Sequence, residues 1–232
     1  MFRINAAAGF TDKESLTLKK AKEIIGHASG LGRPSKMPGY STSLPAKECN
    51  NGAKLRKVKG SVCEKCYAYK GNYGTPSVQK GLYRRLAALL TTEPEAWIGA
   101  MFRMIDHYTD PDDAYFRIHD SGDFQSVEHV LRWVSIARLL PWVKFWAPSK
   151  EYAFIRQAMK QVSDWPENLV IRLSAPMIGA DGAKAWKREG IPFSTVDFGS
   201  GHTCPAPTQD NECGSCRACW DRTIPSVDYH RH

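Results

Sequence analysis

Residues 114–124 read Ala114-Tyr115-Phe116-Arg117-Ile118-His119-Asp120-Ser121-Gly122-Asp123-Phe124, and this stretch decides the fold. Its first five residues are apolar or aromatic around one arginine, which suits a strand buried between two layers. The polar residues and glycine that follow make a turn. Val127, Val130, Leu131, Val134 and Ala137 then keep the spacing of a helix that turns one stripe to a core. The unit repeats downstream. Val143 to Trp146 is a strand; Ile155, Ala158, Met159 and Val162 mark a helix; Leu169 to Leu173 is a strand, and Pro192 to Val196 another. Strands alternating with helices imply right-handed crossovers and a mainly parallel sheet. Too few strands are visible for an eight-unit barrel. The expected fold is therefore α/β, a partial TIM-barrel-like sheet with flanking helices.

Upstream, Thr11-Asp12-Lys13-Glu14 has the form of a capping box and starts a helix to about Ile25. Residues Gly26 to Pro45 are rich in Gly, Pro and Ser and read as loop, with a short strand near Tyr40–Leu44. Ser29 to Lys36 resembles a phosphate loop but lacks the Gly-Lys-Ser/Thr ending, so no nucleotide site is read there. A helix covers Ser77 to Leu90. A second capping box, Thr92-Glu93-Pro94-Glu95, starts a helix with Trp97, Ala100, Met101, Met104, Ile105 and Tyr108 on one face. Trp97, Trp133 and Trp186 fall in helices and Trp146 in a strand, where core packing accounts for them. The tail from about Gly199 has no regular pattern. The chain reads as a single domain over 1–232, with an N-terminal helix and loop (1–36), an α/β core (37–198) and a cysteine-rich metal-binding tail (199–232).

With 42% hydrophobic and 24% charged residues, the chain is an ordinary globular protein. No apolar run suits a signal peptide or a membrane span, so a cytoplasmic location is expected. The formal net charge is +8, and seven basic residues (Lys47, Lys54, Arg56, Lys57, Lys59, Lys65 and Lys70) lie in one stretch. That stretch is read as a solvated basic loop or as charge offsetting thiolates, with a phosphate backbone as the alternative partner.

Seven cysteines cannot all pair with one another. They fall in two groups, Cys49, Cys63 and Cys66 against Cys204, Cys213, Cys216 and Cys219, with 137 residues between Cys66 and Cys204. A disulfide scaffold gives no reason for such a gap, whereas a metal site gathers ligands from a few loops. Cys213-x-x-Cys216-x-x-Cys219 is the spacing of bacterial ferredoxin-type clusters, while zinc ribbons more often use two separated pairs. The reading is one or two [4Fe–4S] clusters, with zinc as the alternative at one site. Either three N-terminal thiolates hold a cluster with one iron open and the other four close a second site, or both groups converge on one centre.

Strand ends carry the remaining polar groups. Arg117, His119, Asp120 and Asp123 follow the first clear strand, Lys150 the second, and Arg172 lies in the third. In parallel α/β folds ligands collect at the carboxyl ends of strands, so these six residues are the candidates for substrate binding.

Ser43-Leu44-Pro45-Ala46, Cys63-x-x-Cys66-Tyr67-Ala68 with Lys70-Gly71, Arg117 to Phe124, and Cys204-Pro205-Ala206 with Cys213-x-x-Cys216-x-x-Cys219-Trp220 together resemble the phage-encoded gene product eighty-eight family, over about residues 37 to 222. The resemblance implies a bacteriophage origin, hence a host cytoplasm, and cysteine ligation of metal; it names no substrate. A looser similarity is to radical S-adenosylmethionine enzymes, which combine a partial barrel with three cysteines after the first strand. Thirteen residues separate Cys49 from Cys63 here, where that family has three, and only Ser121-Gly122-Asp123 echoes its glycine-rich motif. The architecture is carried over and the cofactor is not.

Three functions are expected from these features. The first is an iron–sulfur enzyme or redox protein acting on a small molecule at an open iron. The second is a nucleic-acid-binding protein whose metal is structural. The third is a protein that binds a host factor.

Overall fold

The computed structural model describes residues 16–182 and 188–231. Six α-helices stand among them: α1 (Leu18–Ile24), α2 (Asn50–Leu55), α3 (Pro76–Thr91), α4 (Pro94–Tyr108), α5 (Val127–Leu139) and α6 (Tyr152–Gln161). Seven strands form one sheet: β1 (Tyr40–Thr42), β2 (Tyr115–Ile118), β3 (Lys144–Ser149), β4 (Leu169–Ser174), β5 (Phe193–Val196), β6 (His202–Thr203) and β7 (Ser226–Tyr229). The spatial order is β1-β2-β3-β4-β5-β7-β6, and every pair is parallel. The sheet is thus wholly rather than mainly parallel. Two of its strands come from the tail, where the sequence showed no pattern.

Register sorts the side chains into two faces. Phe116, Phe145 and Leu169 are paired neighbours, as are Ala147 with Ile171 and Leu173 with Phe193. All are buried, in one core with Trp97, Met101 and Met104 of α4, Trp133 and Ile136 of α5, and Ile155 of α6. Arg117, Trp146 and Val170 form the corresponding row on the opposite face. That face is covered by the tail. Trp220 donates its indole N–H to Phe116 O at 3.1 Å and its ring lies edge-on to Trp146, 5.0 Å between centroids.

The tail also links the two edges of the sheet. It leaves edge strand β6, and Cys213 N donates to Lys36 O at 2.9 Å, just ahead of the other edge strand, β1. Lys36 Nζ returns a 2.9 Å bond to Asp210 O.

Several starts and stops differ from the sequence reading. Thr11 to Glu14 lie outside the described residues; within them α1 is capped by Thr17, which accepts from Lys20 N. The Thr92–Glu95 box does not form. Thr92 ends α3 and Glu93 caps α4, which places Pro94 at the first helical position. Proline has no N–H to be capped and a preset φ, so it fixes the start one residue later than the box would. Ser126 caps α5, accepting from His129 N at 3.1 Å.

The turn after β2 depends on Gly122. Its φ is +85°, and a Cβ there would stand 2.6 Å from Leu44 Cβ and 2.8 Å from Leu44 O. Left-handed backbone and a close backbone neighbour together require glycine. Gly122→Ala is expected to cost roughly 3 kcal/mol, combining left-handed strain with overpacking. A urea midpoint within error of the parent would show the turn can relax.

Candidate metal centres and ligand pocket

Cys49, Cys63 and Cys66 sit on one loop held over the carboxyl ends of β3 and β4. Cys49 directly precedes α2, and Cys66 N closes a turn on Cys63 O. Just after β3, Glu151 clamps the loop: its Oε1 accepts from Asn51 N at 2.8 Å and its Oε2 from Asn51 Nδ2 at 2.9 Å. Val62 N donates to Pro176 O, just beyond β4, at 2.9 Å. Burial is the main influence raising the pKa of the Cys49 and Cys63 thiols, which makes them weaker acids. Asp123, the other two cysteines and Glu151 add to it for Cys49, while Lys150 opposes it for Cys63. Such thiols are poor nucleophiles; a bound cation reverses the balance by deprotonating them outright.

Gly52 lies beside this triad for a reason its backbone does not supply. It sits inside α2 with no positive φ. A Cβ there would meet Cys49 Cβ at 2.9 Å, Cys49 Sγ at 3.5 Å and Cys63 Sγ at 3.8 Å. Glycine inside a helix costs about 1 kcal/mol against alanine; here it leaves space beside two sulfurs.

Cys204, Cys213, Cys216 and Cys219 form the second group, on the tail. Other cysteines of the four are among the charges acting on the Cys204, Cys213 and Cys219 thiols. Burial leads for these three and pushes Cys219 up to about 12. Cys219 Sγ lies 3.1 Å from Tyr229 Oη, and Cys216 Sγ 3.4 Å from His202 Nε2. Cys216 also borders an open groove of about 1030 Å³ with Tyr115, Lys144 and Asn168, at the amino ends of the strands. The triad faces the other end of the sheet. All seven thiols are unpaired. Among the described residues, no three His, Cys, Asp or Glu side chains are grouped so as to hold a metal ion.

The six candidate substrate residues separate. Arg117 and Asp120 come together on the tail face, with Tyr67 between them: its hydroxyl donates to Asp120 O and lies 3.3 Å from Arg117 Nη2. Asp123 and Lys150 lie by the triad. Asp123 knits the turn after β2 to the end of β3, since Oδ1 accepts from Phe124 N (2.8 Å) and Ser149 Oγ (2.6 Å), and Oδ2 from Lys150 N (2.9 Å). His119 turns to the helix side, where a cavity of about 10 Å³ lies among His27, Arg85, His119 and His129. That is room for a single water. Burial, then Arg117, lowers the His119 imidazole to about 3, so it is neutral. Arg172 is fully buried beneath the tail, its guanidinium bonded to main-chain carbonyls there.

Cysteine spacing does not mark Tyr229, His202 or Gly52. His202 lies in the polar Ser200-Gly201-His202 segment, but no sequence signal ties it to Cys216. Among the described residues no helix is long and apolar enough to cross a membrane.

No curated protein matches the chain, and no solved structure does. A family model described as Gene product 88 matches residues 10–222, which is most of the sequence, and the chain therefore belongs to the Gene product 88 family.

Proposed function

We propose that this is an iron–sulfur protein with two centres: a [4Fe–4S] cluster on Cys49, Cys63 and Cys66, and a second, closed centre on Cys204, Cys213, Cys216 and Cys219. The observation that carries this reading is the sorting of seven unpaired thiols into a three and a four, each sharing its own electrostatic environment. Gly52 lets the α2 backbone approach Cys49 and Cys63 closely, since a Cβ there would stand 2.9 Å from Cys49 Cβ. A lone zinc ion would draw four sulfurs to about 2.3 Å from one point. With three protein ligands the cluster offers an open iron, able to act as a Lewis acid or an electron donor. The chain's own residues supply the rest. Glu151 and Asn51 fix the loop, Lys150 offsets thiolate charge, and Arg117 and Asp120 hold a small-molecule substrate.

Anaerobic purification tests the proposal, with iron, acid-labile sulfide and zinc quantified and electron paramagnetic resonance recorded after reduction. Cys63→Ala and Cys216→Ala are each expected to remove one centre and spare the other. Sulfide-free protein that folds equally well with a chelator present would overturn it.

A second reading rests on charge. Lys47, Lys54, Arg56, Lys57, Lys59, Lys65 and Lys70 are all exposed, on the loop that carries the triad. Such a face suits nucleic acid or an acidic host factor, with metal, iron–sulfur or zinc, serving only to fold the chain. On this reading, affinity for duplex DNA or for RNA falls linearly on a log–log plot against salt. Neutralising three of the lysines is expected to flatten that slope by roughly 2 to 3. Salt-independent binding, or none, leaves the first reading.

A further inference from the structure

Three buried polar atoms on the tail face have no hydrogen-bond partner: Arg117 Nε, Asp120 Oδ1 and Trp146 Nε1. They belong to one neighbourhood. Arg117 and Trp146 are register partners on β2 and β3, and the guanidinium lies over the indole at 4.9 Å. Asp120 follows two residues beyond β2, and its other oxygen, Oδ2, accepts from Ser41 Oγ at 2.9 Å. Ser41 is in turn the register partner of Arg117 on β1.

Arg117 and Asp120 lie close without an ion pair between them, and the Asp120 carboxylate also takes a hydrogen bond from the Tyr73 hydroxyl. Arg117 bonds Tyr67 Oη and touches Met37 Sδ at 3.8 Å. Asp120 adds to the influences that stabilise the guanidinium cation, yet no ion pair joins the two side chains among the described residues. A buried guanidinium N–H and a buried carboxylate oxygen left without partners are each costly unless something completes both. A simple anion would satisfy Arg117 and Trp146 and be repelled by Asp120. A simple cation would do the reverse.

We infer that this cluster of unpartnered groups binds a small zwitterion, an α-amino acid or a compound bearing that group, with its carboxylate on Arg117 Nε–H and Trp146 Nε1–H and its ammonium on Asp120 Oδ1. Tyr67 marks the entrance: its hydroxyl reaches both Arg117 and the Asp120 carbonyl while 45% of the residue stays exposed. The assignment rests on reading Arg117 and Asp120 as the substrate site, and does not require the cysteine centres to hold iron.

The test screens the twenty common L-amino acids singly against the full-length, anaerobically purified protein by thermal shift. Hits are then titrated by calorimetry. At least one saturable ligand is expected. Its decarboxylated amine and its deaminated acid should each bind at least about tenfold more weakly, as loss of one charge-assisted contact implies. Asp120→Asn and Trp146→Phe preserve shape and should weaken binding to a similar extent. Iron and sulfide content measured on the same samples separates failure of the pocket from failure of the cluster reading. The proposal is overturned if no amino acid binds. It is overturned equally if the deaminated acid binds as tightly as its parent, which would make this an anion site, or if folded Asp120→Asn and Trp146→Phe bind unchanged.

Discussion

Arg172→Leu is expected to destabilise the protein by about 4 kcal/mol or more, the largest stability loss of any single substitution considered, because it strands a set of buried carbonyls. Arg172 is 0% exposed. Its Nε donates to Cys219 O at 3.1 Å, Nη1 to Ile224 O at 2.9 Å, and Nη2 to Ala218 O and Asp221 O, both at 2.7 Å. One guanidinium thus satisfies four acceptors along residues 218–224, as only arginine's rigid fork of donors allows. Leucine fills part of the volume and none of the hydrogen bonds. The stranded segment includes Cys219, so the tail should become protease-sensitive and the tail centre should lose metal. Arg172→Lys recovers little, because one ammonium cannot reach four divergent acceptors. Urea unfolding gives the magnitude, and hydrogen exchange at residues 218–224 gives the location. A midpoint near the parent's would mean the carbonyls find water instead.

The parts of the fold legible in the sequence were those where burial is two-sided. All six residues of β4 are buried, and Leu169-Val170-Ile171 announces that directly. Strands β6 and β7 were not legible. The first has only two residues, and the second contains Asp228, an unusual residue for a strand. Asp228 is tolerated because its carboxylate accepts from Thr195 Oγ1 at 2.6 Å and from the backbone N–H groups of Phe198 and Gly199 at 3.2 and 2.7 Å. Those partners are tertiary and leave no trace in local pattern. The cysteines were legible by spacing as a set of three and a set of four. Their neighbours were not. Tyr229 reaches Cys219 only because β7 inserts between β5 and β6, and Asp120 reaches Ser41 and Tyr67 through the turn after β2, where His119 takes a φ of +68°. Arg172 looked like a rim residue because it is a charge in a strand near its carboxyl end. Which face it takes depends on register, and which groups meet it depends on the path of the tail.

Gly52→Ala should remove the triad's iron and sulfide while leaving the fold and the tail centre in place. The argument turns on two opposing effects of one methyl group. Inside α2, alanine is the better helix former by about 1 kcal/mol, and Gly52 needs no left-handed backbone. Metal-free protein should therefore lose little stability, since the helical gain offsets the displacement of Cys49, whose Cβ would otherwise stand 2.9 Å from the new one. The sulfurs have no such compensation. A methyl 2.9 Å from Cys49 Cβ must push that residue aside, and with it the sulfur a shared centre would use. Iron and acid-labile sulfide per chain are expected to fall by one centre's worth, with circular dichroism unchanged; in Gly52→Ala combined with Cys216→Ala both should fall to background. If Gly52→Ala retains full iron and sulfide, the gap beside the sulfurs is ordinary packing and the triad is not where a cluster sits.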